Sequence, residues 1–320
     1  MAVNRDKPDR WKQDIAMSVD MYNAWFIHFA PEAYRTTRSK TIKTVEATLE
    51  ATQNLTNVGV EQLKANPWSL SALRMSTCPP LAVDRLIGLA GVSGNLVKTM
   101  EKINRLPPRM SKSELDGDLE KIRRIFEKMA DPDIFVWLGQ SKTPSRQELY
   151  RAATIVADRL CGAVANPIIR NAQEKRQLSA MDEWLTNSGY RNLPPGEGMK
   201  YNEMEPGTFS FRLNVPVEQE GTGKAISIPV DAVVMPKAAK PGSFPLLIEA
   251  KSAGDFANVN KRRKEEAAKM SQLRRTHGAE VRFVLFLCGY FDSGYLGYEA
   301  AEGIDWVWEH RIDDFREFGL

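Results

Sequence analysis

The spacing of the hydrophobic residues changes once along this chain, and the change restricts the possible folds more than any other feature. Up to about residue 190 apolar residues recur every three or four positions, as Leu115, Leu119 and Ile122 do, which is typical of helices. After residue 200 apolar and polar residues alternate, as over residues 208–217, which is typical of strands. The pattern predicts an α/β (α+β) fold with a helical N-terminal region and a core of mixed sheet flanked by helices.

The order of the elements in the second half predicts how the sheet is connected. A helix should be followed by three strands, another helix and a fourth strand; the predicted ranges are 168–187, 208–217, 225–235, 244–251, 258–276 and 281–288. The first three strands should be largely antiparallel, while the helix before the fourth permits a crossover. A capping box at Ser145 and Glu148 should start a helix that Asn166-Pro167 breaks or kinks. The C-terminal segment should add a last strand or a covering element.

Composition and cysteine use predict a soluble intracellular protein. Apolar residues make up 42% of the 320 residues and charged residues 27%, which excludes wholesale disorder. No run of eighteen apolar residues is present, so no membrane span is expected. The polar N-terminus lacks the apolar core of a signal peptide, and the three cysteines are far apart. We therefore expect a cytoplasmic location without a disulfide framework.

Positive charge is concentrated in one short segment. The whole chain has a net charge of +3, yet residues 258–277 hold seven Lys or Arg against two acidic residues. The rest of the chain is therefore slightly acidic. A local excess of positive charge suggests a local anionic partner.

Two predicted strands hold charged residues where a packed strand disfavours them. Glu249 and Lys251 are two positions apart and share a face, and Asp231 lies on the preceding strand. Charges near a core need a partner or a metal, and two converging carboxylates would raise one pKa unless a cation such as Mg²⁺ lay between them. Phosphodiester hydrolysis uses such a metal together with a lysine that stabilises the developing charge. The alternative is a surface Glu/Lys pair on an edge strand, because the E-x-K pattern is common.

These residues also carry a resemblance to a known family. Ile228-Pro-Val-Asp231, followed by Glu249-Ala-Lys251, resembles the PD-(D/E)xK nuclease signature, except that a valine separates the proline from Asp231. Residues 249–266 are similar to the XamI-type family of type II restriction endonucleases, and the likeness covers most of the chain. The resemblance implies Mg²⁺-dependent cleavage of double-stranded DNA at a short sequence, giving 5′-phosphate ends. It also implies that Asp231, Glu249 and the Ala250 carbonyl bind the metal and that Lys251 is the catalytic lysine.

The same superfamily often adds a glutamate from the first core helix. Glu174 and Glu183 are the candidates here, and because they are nine residues apart they face nearly opposite sides of a helix. We favour Glu174 as a fourth catalytic residue, since it follows Asn166-Pro167 by two turns. A solvated helix acid is the alternative.

The residues after the predicted lysine are candidates for contact with DNA. Basic side chains bind the phosphate backbone and polar side chains read base edges. The candidates are Ser252, Asp255, Asn258, Asn260, Lys261, Arg262 and Arg263. The alternative is a solvated helix face on which Glu265 and Lys269 form an i,i+4 pair.

The resemblance also guides the expected domains and partners. Residues 1–142 should form a helical region with a DNA-binding or dimerisation role, and residues 143–320 the nuclease core. A homodimer would match a palindromic target, for which the family points to GTCGAC, and a methyltransferase would protect the host's own sites in a restriction-modification system. Two alternatives remain: a structure-selective repair or recombination nuclease of the same superfamily, and an inactive DNA-binding protein.

Overall fold

The computed structural model describes residues 2–140, 142–194, 200–219, 223–240, 242–257 and 259–320. These residues form two compact units. One unit consists of Met1–Phe29 with Arg170–Leu320, and the other of Ala30–Ile169. The boundaries of these units differ from the predicted domain boundary after residue 142. The predicted boundary concerns functional domains and stays a prediction.

Two of the helices exceed forty residues, and each continues through an internal proline. The helices are α1 (Pro8–Ala51), α2 (Val60–Ala65), α3 (Leu70–Met75), α4 (Val83–Ala90), α5 (Gly94–Ile103), α6 (Lys112–Met129), α7 (Arg146–Asn187), α8 (Val259–His277) and α9 (Ser293–Ala301). Helix α7 continues through Pro167, so the prediction of separate helices on its two sides is wrong. An internal proline costs a helix about 3 kcal/mol. Buried apolar side chains before and after it, among them Ala165 and Met181, offset that cost here.

The start of α7 is the predicted capping box. The backbone N–H of Ser145 donates to Glu148 Oε2 at 2.8 Å, and the N–H of Glu148 donates back to Ser145 Oγ at 3.3 Å. By length and composition alone α7 is apolar enough to cross a membrane, with a mean hydropathy of 1.3 over its most apolar 18-residue window. This is weak support for a span, because a buried core helix of a soluble protein meets the same criterion.

The unit formed by Ala30–Ile169 is helical. Helices α4 and α5 form a helical hairpin, and Gly91 ends α4 at a φ of 59° that suits glycine. Leu86 of α4 and Leu96 and Val97 of α5 are fully buried in the core of this unit. A plain hairpin therefore accounts for the apolar pattern of this segment.

The other unit is built on a six-stranded mixed sheet in the order β1-β2-β3-β4-β5-β6. The strands are β1 (Arg191–Asn192), β2 (Thr208–Glu218), β3 (Ala225–Met235), β4 (Leu246–Ala253), β5 (Arg282–Gly289) and β6 (Asp305–Trp308). Strands β2, β3 and β4 are antiparallel neighbours, and β4, β5 and β6 run parallel. This arrangement confirms the predicted fold class. Helix α9 was not predicted, and it lies before the last strand.

Helices cover both faces of the sheet. Helices α8 and α9 pack on one face through Leu273 and Leu296, and the second half of α7 packs on the other through Met181 and Leu185. The faces exchange along β2 at Arg212, which has a left-handed φ of 56°. Before it Phe209 and Phe211 pack toward α7, and after it Leu213 and Val215 pack toward α8. A simple alternation along one face does not describe this strand.

Candidate active site where two strands separate

The candidate site lies where β3 and β4 stop pairing. Ala232 opposite Ile248 is the last pair between these strands toward the site, so Asp231 and Glu249 are the next residue on each. The backbone N–H of Ala250 donates to Asp231 Oδ2 at 2.9 Å. The carboxylate thus takes the place of a backbone partner and stays close to β4.

Glu249 and Lys251 form an ion pair on the same face of β4. Lys251 Nζ lies 3.2 Å from Glu249 Oε1, and Glu249 is only 6% exposed. A second buried carboxylate, Glu266 of α8, lies 2.8 Å from the same ammonium group. The structure therefore brings Asp231, Glu249 and Lys251 together, while their catalytic roles stay predictions.

Burial and neighbouring charges shift the pKa of two of these groups. Burial, reinforced by the negative charge of Glu249, raises the pKa of Asp231 to about 6, although the Ala250 N–H and Lys251 oppose the shift. Burial alone would lower the pKa of Lys251, but Glu249 and Glu266 outweigh it and raise that pKa above its usual value. Lys251 is therefore an ammonium ion that can stabilise negative charge.

The residues present fit a divalent cation. Glu249 Oε2 is buried and has no hydrogen-bond partner among the described residues. Burial and the negative charge of Glu249 both raise the pKa of Asp231, and a divalent cation between the two carboxylates would offset both effects. In the described part of the chain no group of three or more His, Cys, Asp or Glu side chains is placed to hold a metal. The protein would therefore supply two carboxylates, which suits Mg²⁺ because this ion retains several waters.

Glu174 is the one of the two helix candidates whose charge acts on the site. Its negative charge contributes to the raised pKa of Asp231, whereas Glu183 is exposed. Glu174 pairs with Arg212 at 2.7 Å, and Arg212 stands opposite Asp231 between two paired positions of β2 and β3. An open cleft of about 680 Å³ lies there; its lining is Asn171, Glu174, Lys175, Leu178, Ser179, Asp182, Asn192, Phe211 and Arg212.

The predicted DNA-contact residues are only partly described. Ser252 is half-buried on β4, and exposed Asp255 accepts a hydrogen bond from the Ala257 N–H at 2.9 Å. Asn258 lies outside the described residues. The side chains of Asn260, Lys261, Arg262 and Arg263 also lie outside them, although their backbone belongs to α8. Their contact with DNA stays a prediction.

Three charged residues of this site were missed in the sequence. The Lys269 Nζ atom of α8 lies 2.7 Å from Glu249 Oε1. Lys269 therefore pairs with a carboxylate of β4, whereas the sequence suggested an i,i+4 pair with Glu265. Glu266 is buried beside Lys251, and Glu299 of α9 is fully buried. A signal existed: Glu266, Met270 and Leu273 recur at the spacing of a buried helix face, where a glutamate needs a partner.

Comparison with known proteins gives one family, one relative and one solved structure. The model of a family described as XamI restriction endonuclease matches residues 53–308. The type II restriction enzyme SalI of Streptomyces albus G is 53% identical over 319 residues, which is 99% of each chain. The crystal structure of protein VC1899 from Vibrio cholerae matches 80% of this chain and 55% of its own at 12% identity, with a TM-score of 0.28. At that score the structural likeness supports no argument.

Proposed function

Because the chain belongs to the XamI restriction endonuclease family, we propose that Asp231, Glu249 and Lys251 form the active site of a type II restriction endonuclease that requires Mg²⁺. The family predicted from residues 249–266 is confirmed, as is the class of enzyme. The observation that supports the site is the meeting of the two carboxylates and the lysine where β3 and β4 separate.

The chemistry follows from what each side chain can do at this position. Asp231 and Glu249, with the Ala250 carbonyl as a third ligand, would hold Mg²⁺, which polarises the scissile phosphate and lowers the pKa of a bound water. Lys251 would orient the attacking water and stabilise the negative charge that develops on the phosphate oxygens. Glu266 keeps that ammonium charged and in place. Glu174, beside Arg212, would support the site from α7.

The proposal also covers the DNA substrate and the residues that would contact it. The enzyme would cut double-stranded DNA at a short sequence, leave 5′-phosphate ends, and act as a cytoplasmic homodimer on a palindromic target. Lys261, Arg262 and Arg263 would bind phosphates, and Ser252, Asp255, Asn258 and Asn260 would lie close to the bases. A methyltransferase in the host would protect its own sites.

Digestion of phage DNA tests the activity. Discrete fragments with Mg²⁺ and intact DNA with EDTA are expected. Sequencing the ends gives the target and the cut position, and ligation of the fragments without kinase treatment detects the 5′-phosphate. A smear would indicate a nuclease without sequence specificity, and intact DNA under all conditions an inactive DNA-binding protein; either result contradicts the proposal.

Substitution of the lysine tests its role. Lys251→Ala should still bind the target DNA but lose cleavage, because the charge that stabilises the reacting phosphate is gone. Lys240→Ala removes an exposed lysine from the loop that joins β3 and β4 and should cut normally. Cleavage by Lys251→Ala at the wild-type rate would contradict the role assigned to Lys251.

A further inference from the structure

Helix α8 brings a second lysine to the carboxylate that would bind the metal. Lys269 Nζ lies 2.7 Å from Glu249 Oε1, and Lys251 Nζ lies 3.2 Å from the same oxygen. Lys251 is also bound by Glu266, whereas Lys269 directs its ammonium group to Glu249. Both lysine side chains are largely buried, at 17% and 24% exposure, so water screens these charges only partly.

This arrangement supplies positive charge to Glu249 before any metal is present. A divalent cation bound at Glu249 Oε2 would lie within a few ångströms of the Lys269 ammonium group, since both would contact one carboxylate. Even in water, the repulsion between a unit charge and a divalent ion about 4 Å apart corresponds to at least about tenfold in affinity. In a partly buried site the effect is larger.

We infer that Lys269 is a positioning residue that competes with the divalent cation for Glu249 and thereby lowers the affinity of the empty enzyme for its metal. The inference rests on the proposed function, because it needs Glu249 to be a metal ligand. Lys269 would satisfy the buried carboxylate in the metal-free protein and would have to yield part of that contact when the cation binds. A purely structural role for Lys269 predicts the opposite effect, since loss of the contact would disorder Glu249 and weaken metal binding.

The test measures binding of Mn²⁺ to the full-length protein without DNA, from the electron paramagnetic resonance signal of the free ion. Lys269→Met keeps most of the apolar stem and removes the charge, so we expect binding at least about tenfold tighter than in the wild type. Lys269→Arg keeps the charge and should bind like the wild type. Lys264→Met removes an exposed charge from the same helix and should shift binding by less than about twofold.

A second readout uses the Mg²⁺ dependence of DNA cleavage. The Mg²⁺ concentration that gives half the maximal rate should fall in Lys269→Met and stay unchanged in Lys269→Arg. Unchanged or weaker Mn²⁺ binding by Lys269→Met would overturn the inference. Equal Mn²⁺ binding by the wild type and Asp231→Asn would instead refute the metal site of the proposed function, whichever way Lys269→Met shifts.

Discussion

Glu299 offers a sharp test of the electrostatics of the buried carboxylates near the candidate site. Its side chain is fully buried on α9, and the desolvation that results, together with the negative charge of Glu266, raises its pKa from 4.5 to about 8. Near neutral pH the folded protein therefore keeps a proton on Glu299 that the unfolded chain has released. Replacing Glu299 with glutamine removes this linkage while it preserves the size of the side chain.

The direction and size of the effect follow from the raised pKa. Because the folded state holds the proton more tightly, rising pH destabilises the wild type from about 4.5 upward, and the loss is complete above about pH 8. The total is about 5 kcal/mol at about 1.4 kcal/mol per pH unit. Between about pH 6 and about pH 9 the wild type should therefore lose about 3 kcal/mol that Glu299→Gln does not lose.

Urea denaturation of both proteins near pH 6 and near pH 9, in EDTA, measures this difference. The quantity to compare is the change in the free energy of unfolding between the two pH values, because any direct effect of the glutamine on packing cancels in it. Glu280→Gln removes an exposed carboxylate and serves as the control. Parallel changes in the wild type and Glu299→Gln would refute the argument that Glu299 is protonated in the folded protein.

Three further predictions concern the site and its DNA contacts. Asp231→Asn should stabilise the metal-free protein near pH 8 by up to about 3 kcal/mol. The reason is that the wild type loses this stability as pH rises from 3.8 through the raised Asp231 pKa of about 6. Urea denaturation in EDTA measures the difference, and equal stability of the two proteins would contradict the prediction. Glu266→Ala should lower the free energy of unfolding by about 3 kcal/mol, since it leaves Lys251 buried with one partner fewer. Changing Lys261 and Arg262 to alanine should reduce the slope of log binding constant against log salt concentration by about 2 in DNA-binding titrations, and an unchanged slope would remove both phosphate contacts from the proposal.

The fold was largely predictable because hydrophobic period and strand order are local properties of the sequence. The antiparallel strands β2 to β4 and the parallel β5 after a crossover helix follow from the lengths of the connections. The continuity of α7 through Pro167 could not be predicted in this way. A proline is a local signal for the end of a helix, whereas the packing that overrides it comes from distant residues. The exchange of faces at Arg212 could not be predicted either. The alternation of apolar and polar residues gives the expected face of each side chain but contains no information about a positive φ angle.

The site separates in the same way into a part that strand geometry determines and a part that tertiary packing determines. Glu249 and Lys251 share a face by their spacing alone. Asp231 joins them because the antiparallel pairing ends at Ala232 and Ile248, which leaves Asp231 and Glu249 as the next residue on each strand. Lys269 and Glu266 reach the same site from a helix that packs across β4, and no periodicity within α8 specifies which carboxylate or ammonium they will meet. Under the proposed function, Asp231, Glu249 and Lys251 would therefore carry the chemistry, while Glu266 and Lys269 would set the electrostatic conditions under which a metal binds. For that reason we expect substitution of Lys269 to change metal affinity and substitution of Glu249 or Lys251 to abolish cleavage.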